Sequence, residues 1–153
     1  MKNLKIDQIK ELREQTGAPV LECRTALEEC GGDEGKAIEW LRQKGMDRAE
    51  KKASREVKAG LVEAYTHATG KVGVLVEVAC ETDFVARNEQ FKNFCHELAL
   101  QIASMAPKNV AELLEQEYIR EPDKKVGDLL KETIGKIGEN IIIQRFERFE
   151  LGS

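Results

Sequence analysis

The chain has 153 residues, with 24 basic and 28 acidic side chains for a net charge of −4, a near balance that argues against nucleic acid as its main partner, because phosphate-binding domains are usually strongly basic. Charged residues make up 34% and aromatics 5%, so the expected protein is rich in helical surface and packed through aliphatic side chains. The length suits one domain with a small appendage; the longest apolar runs are strand-length, against a membrane span, and Met1-Lys2-Asn3-Leu4-Lys5 lacks the apolar stretch of a signal peptide.

Residues 5 to 45 read as three short helices. Ile6, Ile9 and Leu12 recur at helical spacing, and Thr16-Gly17-Ala18-Pro19 breaks the run, with Pro19 suited to the first turn of the next helix. The second helix carries Val20, Leu21, Ala26 and Leu27 and ends at Gly31-Gly32. Asp33 is a good N-cap for the third, whose apolar side is Ala37, Ile38 and Leu41 and whose expected stop is Gly45. The unit 1–45 is thus expected to be a compact three-helix module. Its size and pattern resemble ubiquitin-associated domains, and a module so small presents surface instead of enclosing a site. Residues 46–59 belong to a polar, mostly basic run with little apolar periodicity and are expected to form a basic linker, since such a run is more often a solvated face than a contact with an acidic partner or RNA.

From Gly60 the period changes to two, and residues 60–153 are expected to form an α+β domain. Leu61 to Thr66 and Val72 to Cys80 flank His67-Ala68-Thr69-Gly70-Lys71, a hairpin connection. Val72, Val74, Val76 and Val78 alternate on one face of the second strand, and Leu75 and Ala79 make the other face apolar too, which suits a central strand. Phe91, Phe94, Leu98 and Ile102 form a helical stripe that can cover the sheet, stopped by Pro107. Asn109 is placed to cap a short helix with Val110, Leu113 and Leu114; Pro122 interrupts the chain; Val126, Leu129, Leu130, Ile134 and Ile137 form a further helix closed by Gly138. Ile141 to Leu151 is the last strand, in which Phe146 and Phe149 fall on opposite phases, as a bulge or an edge position would allow. The expected domain is a three-stranded antiparallel sheet covered by helices on one face.

Cys23, Cys30, Cys80 and Cys95 form no Cys-x-x-Cys pair, so neither a zinc ribbon nor a redox motif is indicated; they read as small buried thiols of a reduced, cytoplasmic protein. Cys95 and His96 are adjacent on a helix and point about 100° apart, which rules them out as a nucleophile–base pair by themselves. Nucleotide-binding glycine loops, a His-Glu-x-x-His helix and a nucleophile elbow are all missing from the sequence, and no carboxylate pair sits among apolar neighbours that would raise a pKa. An enzyme is therefore the weaker class, and no cofactor, metal or nucleotide site of its own is expected.

What stands out is Glu81-Thr82-Asp83-Phe84-Val85-Ala86-Arg87-Asn88, where the apolar strand gives way to a helix beginning near Glu89. The turn offers a short acid, a large ring and a branched aliphatic in succession. One reading makes this a functional elbow; the other has Thr82 or Asn88 capping the helix while Phe84 and Val85 tuck beneath it.

Thr82-Asp83-Phe84-Val85-Ala86-Arg87-Asn88, read with Leu12-Arg13-Glu14-Gln15-Thr16-Gly17-Ala18, with Gly31 to Leu41 and with Glu139-Asn140-Ile141, resembles the elongation factor Ts family over nearly the whole chain. The resemblance implies a nucleotide exchange factor for the translational GTPase elongation factor Tu. It implies an elbow of Thr82, Asp83, Phe84 and Val85 pressed near the GTPase's magnesium and phosphate site, with Phe84 as wedge and Asp83 as its polar neighbour. It also places Arg13, Val20, Leu21 and Arg24 at the module's docking positions. Val20-Leu21 departs from a bulkier methionine pair common in the family, and Thr25 stands where a second basic residue often occurs. Long relatives carry two half-sheets and a coiled-coil insertion, whereas this chain has material for one half-sheet, so a homodimer through the sheet domain is expected. Two other classes compete: a non-catalytic adaptor binding a ubiquitin-like or ribosomal partner through the module, and an RNA-binding protein using Lys44 to Lys58, which would show a steep salt dependence.

Overall fold

A computed structural model describes residues 6–153; the N-terminal pentapeptide and the expectation attached to it lie outside the described residues. Three helices come first: α1 (Ile6–Thr16), α2 (Val20–Glu29) and α3 (Glu34–Lys52). Leu12, Cys23, Ala26, Leu27, Ala37 and Leu41 close a small core between them, and Asp33 caps α3 by accepting from Lys36 N–H at 3.0 Å.

Helix α3 does not stop at Gly45. It continues to Lys52, so the stretch read as a linker is helical through that residue, and Ala49 is buried in the main core. The reason lies in another element, α7 (Val126–Ile137). A Cβ on Gly135 would lie 2.6 Å from the Gly45 carbonyl oxygen and 2.7 Å from its Cα, so the two backbones cross in direct contact. It is Gly135 whose missing side chain the close approach requires, whereas a Cβ on Gly45 would meet nothing within 4 Å, and Gly45 lies inside a continuous helix and not at a chain reversal. An ion network flanks the crossing: Glu132 on α7 lies 2.7 Å from Arg42 Nε and 2.7 Å from Lys124 Nζ.

The second part is the expected sheet, β1 (Ala59–Thr66), β2 (Val72–Cys80) and β5 (Ile141–Glu150), antiparallel in the order β1-β2-β5. Val74, Val76, Val78 and Cys80 face inward onto α5 (Glu89–Met105), whose Phe91, Phe94, Leu98 and Ile102 are all buried. Each such side chain contributes roughly 1.5–3 kcal/mol through burial. A bulge explains the phase of β5: Val78 pairs with Ile143 and Glu77 with Arg145, which leaves Gln144 as the extra residue. Phe146 thereby joins the core side opposite Val76, while Phe149 lies opposite Gly73 on the open face of this edge strand, 73% exposed.

Between α5 and α7 the chain forms α6 (Val110–Glu115), capped by Asn109 as expected, and a two-stranded ribbon, β3 (Glu117–Tyr118) with β4 (Glu121–Lys125). Sequence patterning missed the ribbon because β3 has only two residues and β4 includes Pro122. Among the described residues no helix is long and apolar enough to cross a membrane.

Candidate functional site

The chain leaves β2 through Glu81 and Thr82 and enters a one-turn helix, α4 (Asp83–Ala86), before α5 begins. The two expected capping residues are both used, on different helices. Thr82 Oγ1 accepts from Val85 N–H at 3.3 Å, and Asn88 Oδ1 accepts from Gln90 N–H at 2.7 Å. Phe84 and Val85 part company: Val85 is 5% exposed and belongs to the core, whereas Phe84 is 82% exposed. Consecutive helical residues point about 100° apart, so anchoring Val85 inward drives the neighbouring ring outward. Thr82 and Asp83 are also exposed.

Three groups hold this turn from behind. Cys80 Sγ donates to Thr82 O at 3.3 Å. Glu139, in the turn between α7 and β5, accepts from the N–H groups of Glu81 at 3.1 Å and Thr82 at 3.0 Å through Oε1, and from the Thr82 hydroxyl at 2.7 Å through Oε2. Asn140, 2% exposed, donates its N–H to Glu81 Oε1 at 3.0 Å and its side-chain amide to the carbonyls of Ala53 and Arg55 at 3.3 and 2.8 Å. The base of the elbow, the end of α3 and the start of β5 therefore meet at one polar node. Its role is absent from the reading of the sequence; the available signal was a Glu-Asn pair between a helix-ending glycine and a β-branched strand.

On the three-helix module, Val20 and Leu21 open α2 at 50% and 73% exposure. Arg24 is exposed one turn on, paired with Glu28 at 2.9 Å, and Arg13 is exposed in the last turn of α1. The module thus exposes an apolar step and a basic side chain, Arg24, on α2 and a second basic side chain, Arg13, on α1.

Two buried thiols lie close to the sheet, Cys80 on β2 and Cys95 on α5. Burial, assisted by the Glu63 carboxylate, pushes the Cys95 thiol up to about 12, and His96 instead lies 3.2 Å from Glu63. Burial likewise raises the Cys80 thiol, with Glu139 adding to it. A cleft of about 260 Å³ beside the α3–α7 crossing is lined by Arg42, Lys124 and Glu132, whose charges are already paired with one another.

Three helices ahead of a helix-covered antiparallel sheet, with an exposed aromatic elbow at the sheet's end, define a class of two-part α+β protein. Residues 81–153, the elbow included, match the family described as Elongation factor TS. Elongation factor Ts of Thermoanaerobacter pseudethanolicus is 45% identical in an alignment covering 94% of this chain and 93% of that protein. That of Carboxydothermus hydrogenoformans is 46% identical with 94% and 87% covered, and that of Rippkaea orientalis 42% identical with 99% and 80% covered. The chain belongs to the elongation factor Ts family, whose named members are translation elongation factors.

Proposed function

We propose that this chain is a guanine nucleotide exchange factor that binds elongation factor Tu and promotes GDP release during translation elongation, without bond chemistry of its own. The observation that carries the reading is the position of Phe84: a large ring, 82% exposed, on a turn that is anchored by its neighbour Val85 and braced by three hydrogen bonds donated to Glu139. The fold makes little use of that ring, and a rigid mount is what a wedge needs. Phe84 enters the GTPase near its magnesium and phosphate site, Asp83 supplies the polar contact beside it, and Thr82 and Val85 hold the pair in place. The factor binds the nucleotide-free GTPase more tightly than the nucleotide-bound form, and linkage then requires it to weaken nucleotide by the same factor.

One ring is not enough. Burying Phe84 contributes roughly 1.5–3 kcal/mol, whereas inverting a two-state population takes about 5.5 kcal/mol. The remainder comes from docking by residues 1–45 through Arg13, Val20, Leu21 and Arg24. The test mixes the protein with a labelled-GDP complex of elongation factor Tu: substoichiometric factor is expected to accelerate release with turnover. The exposed Val20-Leu21 step also suits an adaptor that binds through the module alone, and such a protein would bind the GTPase or another partner without accelerating release.

The working form we propose is a homodimer through the 60–153 domain. The sheet face turned away from α5 carries Val62, Leu75, Ile142 and Phe149, 60%, 49%, 37% and 73% exposed, a density of apolar groups that usually marks an interface. Closed two-fold pairing is the commonest soluble assembly. Sedimentation equilibrium at micromolar concentration is expected to show twice the chain mass; a single 17.2 kDa species with full exchange activity would exclude the dimer.

A further inference from the structure

The node behind the elbow is more elaborate than the fold alone requires. Strand pairing between β2 and β5 already begins at Cys80 with Ile141, and α4, with four residues, is far too short to hold its own shape. The ring of Phe84 is itself 82% exposed. Its direction depends on the backbone at residues 81–83, and there Glu139 takes two consecutive N–H groups and the Thr82 hydroxyl. Because that hydroxyl spends its proton on Glu139, its lone pairs are left for Val85 N–H at 3.3 Å, which starts α4 in register. Gly138, at φ +87°, ends α7 in the left-handed region, and this reversal carries the next residue, Glu139, back to the elbow. Glu81 returns the contact by accepting from Asn140 N–H at 3.0 Å, so the two strand ends exchange carboxylates.

We propose that Glu139 is a positioning residue for exchange: it fixes the direction of the Phe84 ring without itself entering the GTPase. This rests on the exchange reading above. A wedge displaced by even about 1 Å can lose a large part of its effect, as misplacement costs up to about a hundredfold in other sites.

The experiment follows GDP release as a function of factor concentration for the parent, Phe84→Ala, Glu139→Ala and Glu139→Gln, together with amide hydrogen exchange of each free factor. Glu139→Ala is expected to lower the maximal release rate about tenfold with little change in the half-saturating concentration, because docking by the module is untouched. The amides of Glu81 and Thr82 should lose protection while those of β2 keep theirs. Glu139→Gln retains an acceptor for the two N–H groups and a donor for Thr82 Oγ1, and should recover most of the rate. A parental rate in Glu139→Ala beside an impaired Phe84→Ala would overturn the positioning role and spare the wedge. Protection lost throughout β2 in both Glu139 variants would make the residue merely structural and overturn it too. If Phe84→Ala exchanges normally, the elbow reading falls and takes this role with it.

Discussion

Phe84→Ala is expected to lower the maximal rate of factor-stimulated GDP release by one to two decades while leaving the stability of the factor within about 0.5 kcal/mol of the parent. The rate effect follows from the roughly 1.5–3 kcal/mol that a buried phenyl ring contributes, at about 1.4 kcal/mol per decade. The stability effect follows from the 82% exposure of the ring in the free protein, since substitutions at exposed positions usually change stability by less than about 0.5 kcal/mol. Val85→Ala is the contrasting control: at 5% exposure it removes core volume and should cost about 1–3 kcal/mol in stability. Release kinetics and a denaturant midpoint measured on the same preparations separate the two. Loss of several kcal/mol in Phe84→Ala would make the ring structural and end the wedge reading.

The two glycines at the α3–α7 crossing should respond in opposite directions. Gly135→Ala is expected to destabilise by about 1–3 kcal/mol or more, because the new methyl would sit 2.6 Å from the Gly45 carbonyl oxygen and neither backbone can yield without separating the helices. Gly45→Ala places its methyl where nothing lies within 4 Å, and replacing a mid-helix glycine should stabilise by roughly 0.5–1 kcal/mol. Thermal or denaturant unfolding of the two variants checks the pair. A Gly135→Ala variant as stable as the parent would mean that the backbones do not cross in contact at this point.

Much of this architecture follows from residue order alone. Period-two valines in β2, the 3.6-period stripe of Phe91, Phe94, Leu98 and Ile102, the cap at Asn109 and the stop at Gly138 are local signals, each set by the geometry of a single element, and the structure places them as that geometry requires. The elbow was also legible as a stretch, because strand pattern, polar interruption and helix pattern meet there.

Position along the chain could not say which of Phe84 and Val85 faces outward, since both suit a core; that was decided when Val85 found the sheet and the helical turn carried its neighbour the other way. Nor could local sequence show that Gly45 continues a helix. A glycine ends a helix when its freedom is used for a left-handed turn, but Gly45 stays within α3, which α7 crosses in an approach that the missing side chain of Gly135, ninety positions further along, allows. The brace of Glu139 on Glu81 and Thr82 is of the same kind: its hydrogen bonds span 57 or 58 residues. Residue order determines which faces are apolar, while the directions of exposed side chains and the joints between elements are set by contacts that exist only once the chain has closed on itself.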